Sequence, residues 1–192
     1  MARLPYVDPA TAPPRVREAL GTVPALHVFR TMAHADTAFR PWLRWAGTLL
    51  GELELDPVLR ELAILHVARL TPHAEYEWVQ HVPIALAVGV TQEQVDALEH
   101  GDPQAASFSE LQYAVLRFTR EVVRDARASD EAFDAVRAAL TPREIVELLM
   151  VIGQYMMLAR VMATVDMELD EPAASAVIDA STAPVDRSDP AS

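Results

Sequence analysis

The sequence contains no cysteine and no lysine in its 192 residues. Without cysteine there is no disulfide, no thiol catalysis and no thiolate metal site. All sixteen basic residues are arginine, so there is also no Schiff-base lysine and no lysine-containing phosphate-binding loop. Several common catalytic mechanisms are therefore excluded by composition alone.

Long apolar runs are missing as well. No segment approaches the roughly 18 uninterrupted apolar residues of a membrane span. The N-terminus, MARLPYVDPATAPP, lacks the apolar core of a signal peptide. We therefore expect neither membrane insertion nor secretion, and predict a cytoplasmic protein.

Two further absences concern partners. No glycine-rich nucleotide fingerprint occurs, so ATP and NAD chemistry is unsupported and we predict no cofactor. The formal net charge is −12. This argues against nucleic acid and anionic membranes as partners, because a phosphate backbone needs a basic patch.

Helix signals are dense, whereas strand signals are almost absent. Asp56 precedes a proline at the first helical position, which is typical of a helix start. Three further starts combine a Ser or Thr N-cap with Glu or Gln three residues later: Thr91 with Gln94, Ser109 with Gln112, and Thr141 with Glu144. These signals predict an all-α protein, a compact bundle of six to seven helices joined by short turns.

The length fits a single domain with a substantial core. We predict an N-terminal extension over residues 1–20 and a helical domain over residues 21–171. Residues 172–192, rich in Ala, Ser, Asp and Pro, are predicted to form a flexible tail.

The segment AEYEWVQH predicts a carboxylate and an imidazole on one helix face. At 100° per residue, Glu77 and His81 lie one turn apart on a face that is otherwise apolar. Such a pair is able to hold one proton between its two members. The alternative is an ordinary charged pair on a helix surface.

Glu61 occupies an unexpected position in its helix. Its neighbours on that face are all apolar: Val58, Ile64, Leu65 and Ala68. A carboxylate in an apolar stripe costs several kcal/mol unless it finds a donor or takes up a proton. We therefore consider Glu61 a candidate functional residue, the alternative being a structural ion pair with Arg60 or Arg69.

No metal site is predicted. His66, His73 and His81 are separated by seven and eight residues, and no His-x-x-x-His occurs on one helix.

Over about residues 20–170 the chain resembles the carboxymuconolactone decarboxylase and alkylhydroperoxidase-D-like superfamily. The resemblance rests on LHVFRTMAHADTAFRPWLRWAGTLL, RELAILHVARLTPHAEYEWVQHVPIALAVGV and LTPREIVELLMVIGQYMMLARVMATV. It implies an all-α fold whose small subunits assemble as homodimers, trimers or hexamers, often with active sites completed at subunit interfaces.

The peroxidase branch of that superfamily has Glu…Cys-x-x-Cys-x-x-x-His, in which Glu and His relay a proton to a reactive thiol. Matching the last His to His81 puts the two cysteines on Ala74 and Glu77. Glu61 then matches the relay Glu, apart from one extra residue in the loop TPHA. The resemblance therefore implies a proton relay without the thiol, and a thiol peroxidase is excluded.

What remains resembles the decarboxylase side of the superfamily. The resemblance implies acid–base roles for His81 and Glu61, with Glu77 in the place of the lost thiol. Candidates for substrate binding are Tyr76, Trp78, Tyr155 and Arg160, for each of which packing or an oligomer contact is the alternative.

Our leading hypothesis is a cofactor-independent lyase or isomerase that acts on a small molecule bearing a carboxylate or lactone. A carboxylate would suit the available arginines. One alternative is hydrolysis or ring opening of a small ester, lactone or epoxide. Another is a non-catalytic ligand-binding or assembly protein. Because much of the helix surface is apolar, we also expect a homo-oligomer.

Overall fold

The structure, a computed structural model, describes residues 1–182. Within this range the secondary structure is entirely helical, which confirms the predicted fold class. The helices are α1 (Pro14–Leu20), α2 (His27–Met32), α3 (Asp36–Gly51), α4 (Pro57–Leu70), α5 (Glu75–Val88), α6 (Gln92–Glu99), α7 (Glu110–Asp125), α8 (Asp130–Arg137), α9 (Pro142–Thr164) and α10 (Ala174–Thr182).

The predicted helix starts are confirmed. The Asp56 side chain accepts hydrogen bonds from the backbone N–H groups of Val58 and Leu59, at the start of α4. Both hydrogen bonds of a capping box are present at the starts of α6, α7 and α9, at the three predicted Ser/Thr and Glu/Gln pairs. These starts were predictable because each cap lies within three residues of the groups that it satisfies.

The predicted number of helices, six to seven, is too low for residues 1–182, which form ten. The helices missed, α1, α8 and α10, have only seven to nine residues. Helices with so few turns repeat the hydrophobic pattern only once or twice, and most of their stability comes from tertiary packing.

Helix α4 lies at the centre of the bundle. Every residue from Leu59 to Ala68 is buried, because α5, α7 and α9 pack around it. The same core contains the buried face of α9 and the side chains of Val115 and Phe118 from α7. A polar group on a helix surrounded in this way has little access to water, so its burial is costly unless it finds a partner inside the protein.

Each of the two predicted terminal segments contains a helix. Helix α1, inside the predicted extension, packs against α3 through a cluster that contains Val16 and Phe39. Residues 174–182, predicted as part of the flexible tail, form α10 and contact α3 and α5. Composition suggested a tail because the small and polar residues do not reveal the apolar surface against which this helix packs. Residues 183–192 lie outside the described part.

Helix α9 is the one described helix that is long and apolar enough to cross a membrane, by length and composition alone. More than half of its most apolar stretch, 56%, is buried inside the protein. Such burial is typical of a core helix.

Candidate functional site

The packing of α4 against α5 brings two of the predicted residues together. Glu61 from α4 is fully buried, and its Oε2 lies 2.9 Å from Nδ1 of His81 on α5. The imidazole is therefore oriented by a carboxylate on another helix, not by Glu77 one turn away on its own helix. The predicted sharing of a proton between Glu77 and His81 is wrong for this geometry.

Arg60 completes a buried group of three. Its Nε donates to Oε1 of Glu61 at 2.9 Å, and its Nη1 donates to the backbone oxygen of Leu50 at 2.7 Å. The structural alternative for Glu61, a pairing with Arg60, is thus present together with the His81 contact. Burial opposes the charge of Glu61, but His81 and Arg60 outweigh it and hold the pKa of Glu61 below its usual value.

Glu77 is in the opposite electrostatic situation. It is 2% exposed, and neither carboxyl oxygen has a hydrogen-bond partner within the described residues. Burial alone raises the pKa of Glu77 well above its usual value. Burial therefore favours the protonated, neutral form of Glu77, which is able to donate one hydrogen bond and accept others. The alternative of an exposed surface pair with His81 is wrong, since both side chains are buried.

Tyr155 from α9 contacts the imidazole ring of His81. The two rings meet edge to face with their centroids 4.7 Å apart. Burial, together with the carboxyl groups of Glu61 and Glu77, raises the pKa of the Tyr155 hydroxyl well above its usual value. The phenol therefore stays protonated and helps to fix the imidazole plane.

Glu77, His81 and Tyr155 line a cavity of about 110 Å³. Its wall is largely apolar and comes from α2, α3, α5, α9 and α10 and from the segment before α2. The lining residues are Val23, Leu26, Val28, Phe29, Trp42, Leu43, Ala46, Gly47, Leu50, Tyr76, Glu77, Gln80, His81, Ile84, Tyr155, Leu158, Met162 and Val177. Glu77 and His81 thus meet at one cavity, with Glu61 directly behind His81.

His81 presents one free ring nitrogen to this cavity. Nδ1 is held by Glu61, and Nε2 makes no hydrogen bond within the part of the chain that the structure describes. With a proton on Nδ1 donated to the carboxylate, Nε2 carries the lone pair of a neutral imidazole. The arrangement is therefore suited to accepting a proton from a molecule in the cavity.

Two polar side chains of the cavity wall bind a segment that the sequence did not connect to the site. Residues 167–173, which we call the strap, contact the first turns of α5. The Tyr76 hydroxyl donates to Oδ2 of Asp170 at 2.6 Å. Gln80 donates to the backbone oxygen of Asp170 at 3.2 Å and accepts from the backbone N–H of Ala173 at 3.2 Å.

The role of Tyr76 therefore differs from the predicted one. It lines the cavity, but its hydroxyl is used by the strap, which His27 also holds through a 3.0 Å contact to Asp170. Gln80 and Asp170 were not predicted. Gln80 could have been noticed as a polar residue beside His81, whereas nothing local marks Asp170 as its neighbour.

Two predicted substrate-binding residues lie outside the cavity. Trp78 packs under the guanidinium of Arg69, 5.2 Å from the ring centroid. Arg160 is exposed on α9 and donates to the backbone oxygen of Met156 at 2.6 Å. Trp78 and Arg160 occupy helix positions that face away from the side on which Glu77 and Tyr155 line the cavity.

The expected match between a substrate carboxylate and arginine also fails. No arginine is among the described residues that line the cavity, and Arg60 is already bonded to Glu61. As for metals, residues 1–182 hold no group of three or more His, Asp or Glu side chains with a suitable arrangement.

The fold and site together define an all-α protein with a buried Glu–His pair next to a small apolar cavity. Residues 36–121, which include Glu61, Glu77 and His81, match the model of the carboxymuconolactone decarboxylase family. This segment of the chain is thus similar to the carboxymuconolactone decarboxylase family, the resemblance that its motifs predicted.

Solved structures are similar over nearly the whole chain. One is an alkylhydroperoxidase AhpD core, an uncharacterised peroxidase-related protein from Ralstonia eutropha JMP134, with 19% identity and a TM-score of 0.75 over 95% of this chain and 97% of that one. Another is a protein of unknown function from Agrobacterium tumefaciens, a putative antioxidant defence protein AhpD, with 16% identity and a TM-score of 0.61 over 88% and 99%. At such identities the likeness concerns the fold. No curated protein matches the sequence.

Proposed function

We propose that this protein is a cofactor-independent acid–base enzyme, a lyase or isomerase, that acts on a small molecule bound in the cavity. The observation that carries the proposal is the 2.9 Å contact between Glu61 and Nδ1 of His81, which leaves Nε2 directed at an apolar cavity. A base oriented by a carboxylate and shielded from water is suited to removing a proton from carbon.

Each member of the site has a defined role in this proposal. His81 Nε2 takes a proton from the substrate and returns it. Glu61 positions the imidazole and stabilises its charged form, and Arg60 compensates the charge of Glu61 while His81 is neutral. Glu77 lies one helical turn from His81 and supplies a proton or a hydrogen bond to the substrate.

The test is exchange of substrate protons with solvent. Small carbonyl compounds, among them lactones and ketones, are incubated with the protein in D₂O, and loss of the proton signal next to the carbonyl is followed by NMR. His81→Gln should slow exchange by about 10² to 10⁴-fold, the usual contribution of a positioned base. His100→Gln is the matched control, because His100 is exposed and remote from the cavity. An unchanged rate in His81→Gln contradicts the proposal.

Self-association belongs to the same proposal. Val146, Leu149, Met150 and Met157 are exposed on α9 and recur at the spacing of one helix face. An apolar stripe of this kind on a surface helix is typical of a contact between subunits. We assign it to a second copy of this chain, because proteins of the family that the sequence resembles assemble as homo-oligomers.

A further inference from the structure

The electrostatics of the cavity restrict the chemistry of its ligand. In the neutral form that the proposed base requires, His81 adds no charge to the Arg60–Glu61 ion pair, and Nε and Nη1 of Arg60 are already bonded inside the protein. The other ionisable groups on the wall are carboxyl or phenol groups. A ligand carboxylate would therefore lose its hydration without gaining a cationic partner, which is strongly unfavourable.

Four polar side chains of α5 line the cavity. Glu77 is the one of them that makes no hydrogen bond within the described residues. Tyr76 and Gln80 are bonded to the strap, whereas both oxygens of Glu77 lack a partner within the described residues. A buried polar group without a partner is destabilising. A ligand atom that accepts a hydrogen bond would satisfy it.

We propose that the cavity selects an uncharged, largely apolar carbonyl compound, a ketone or lactone, whose oxygen accepts a hydrogen bond from the Glu77 carboxyl while the carbon next to the carbonyl faces His81. This inference rests on the proposed function and narrows its substrate class. Glu77 is buried on the cavity wall, and its burial favours the protonated carboxyl that would be the donor to the carbonyl.

The chemical step balances without any further reactant. Nε2 of His81 takes the proton from the carbon next to the carbonyl, and the electron pair of that C–H bond moves to form the enol double bond. The carbonyl oxygen, holding the displaced electron pair, takes the proton of Glu77. Return of both protons regenerates the site and gives exchange or isomerisation.

Binding measured apart from turnover tests the substrate class. The probes are δ-octanolactone and its ring-opened sodium 5-hydroxyoctanoate, which differ in charge but hardly in apolar surface. Calorimetry at pH 7 should give at least tenfold tighter binding of the lactone. Equal or tighter binding of the hydroxy acid, or no binding of the lactone, overturns the inference.

Variants of cavity residues test where the lactone binds. Glu77→Leu removes the donor and should weaken lactone binding at least tenfold, while Glu77→Gln keeps an N–H donor and should retain most of the affinity. Gly47→Leu should abolish binding, because a Cβ at Gly47 meets no atom within 4 Å and a longer side chain there occupies the cavity. Melting temperatures verify that each variant folds. Unchanged affinity in Glu77→Leu overturns the role of Glu77.

Failures of the two proposals are distinguishable. If the lactone binds selectively but its protons do not exchange with D₂O, the substrate class stands and the acid–base function is wrong. If protons exchange at His81 but the anionic probe is preferred, the function stands and the uncharged substrate class is wrong.

Discussion

Nδ1 of His81 and Oε2 of Glu61 lie 2.9 Å apart, although the two residues are 20 positions apart in the chain and belong to different helices. Arg60 reaches the second oxygen of the same carboxylate. The three side chains form one buried unit in which the helix packing of α4 on α5 sets the orientation of the imidazole. Its stability and its chemistry are therefore coupled.

The first prediction concerns this coupling. Arg60→Leu leaves the Glu61 carboxylate buried with His81 as its remaining partner, and should lower the free energy of unfolding by about 3–5 kcal/mol. Adding Glu61→Gln should restore part of this loss, because the uncompensated charge is gone. Urea denaturation of both single variants and the double variant gives the coupling energy. The Arg60 contact to Leu50 is lost both in Arg60→Leu and in the double variant, so it cancels in the coupling energy. Strictly additive losses would show that the ion pair contributes nothing.

A second prediction follows from the raised pKa of Glu77. Its pKa is raised in the folded protein, so the folded state binds one more proton than the unfolded state above about pH 4.3. The contribution of Glu77 to stability should therefore fall as pH rises from there to its folded-state pKa, by about tenfold in the unfolding constant per pH unit. Glu77→Gln lacks this titration.

The measurable quantity is the difference in stability between Glu77→Gln and the wild type. It should be small below about pH 4 and grow in favour of the variant as pH rises, until the folded-state pKa is reached. Glu75→Gln, an exposed position two residues away on the same helix, is the matched control. A difference that does not change with pH would mean that Glu77 is ionised when folded.

A third prediction concerns the strap. Tyr76→Phe removes the 2.6 Å hydrogen bond to Asp170 and should destabilise the protein by about 1.5–3 kcal/mol, as for bonds to charged groups. Hydrogen exchange should accelerate in residues 167–173 before it does elsewhere. Tyr113→Phe, which removes a hydroxyl that accepts from Gln104, is the control. Unaltered protection of the strap would show that other contacts hold it.

The fourth prediction tests self-association through α9. Val146→Glu combined with Met150→Glu places two charges on the exposed stripe and should convert the oligomer to a 21.1 kDa monomer. Light scattering coupled to size exclusion gives the mass. Leu86→Glu introduces a charge at a similarly exposed apolar position on α5 and should leave the assembly intact. A wild-type protein that is already monomeric at micromolar concentration contradicts the assignment.

Glu61 illustrates how far sequence reasoning reached into the site. Its position in an apolar stripe marked it as a carboxylate that needs a partner, and the motifs pointed to His81. The same reasoning paired His81 with Glu77, because (i, i+4) residues on one helix are neighbours. The sequence does not reveal how α4 packs on α5, and this packing determines that Glu61, and not Glu77, bonds to His81.

Trp78, Arg160 and Asp170 show the corresponding limit for the cavity. The first two lie near site residues in the sequence but face elsewhere, while Asp170 is 94 residues from Tyr76 and bonds to it. Side-chain direction on a helix depends on where the neighbouring helices lie, and contacts at such separation have no local signal.

By itself the sequence determined the all-α class, the starts of the capped helices and the absence of thiol chemistry, because each depends on composition or on groups within a few residues of one another. Tertiary structure alone decided which carboxylate holds His81, that burial raises the pKa of Glu77, and that no arginine within residues 1–182 lines the cavity. Those properties depend on burial and on contacts between helices, which set the local electrostatics and arise only when the helices pack.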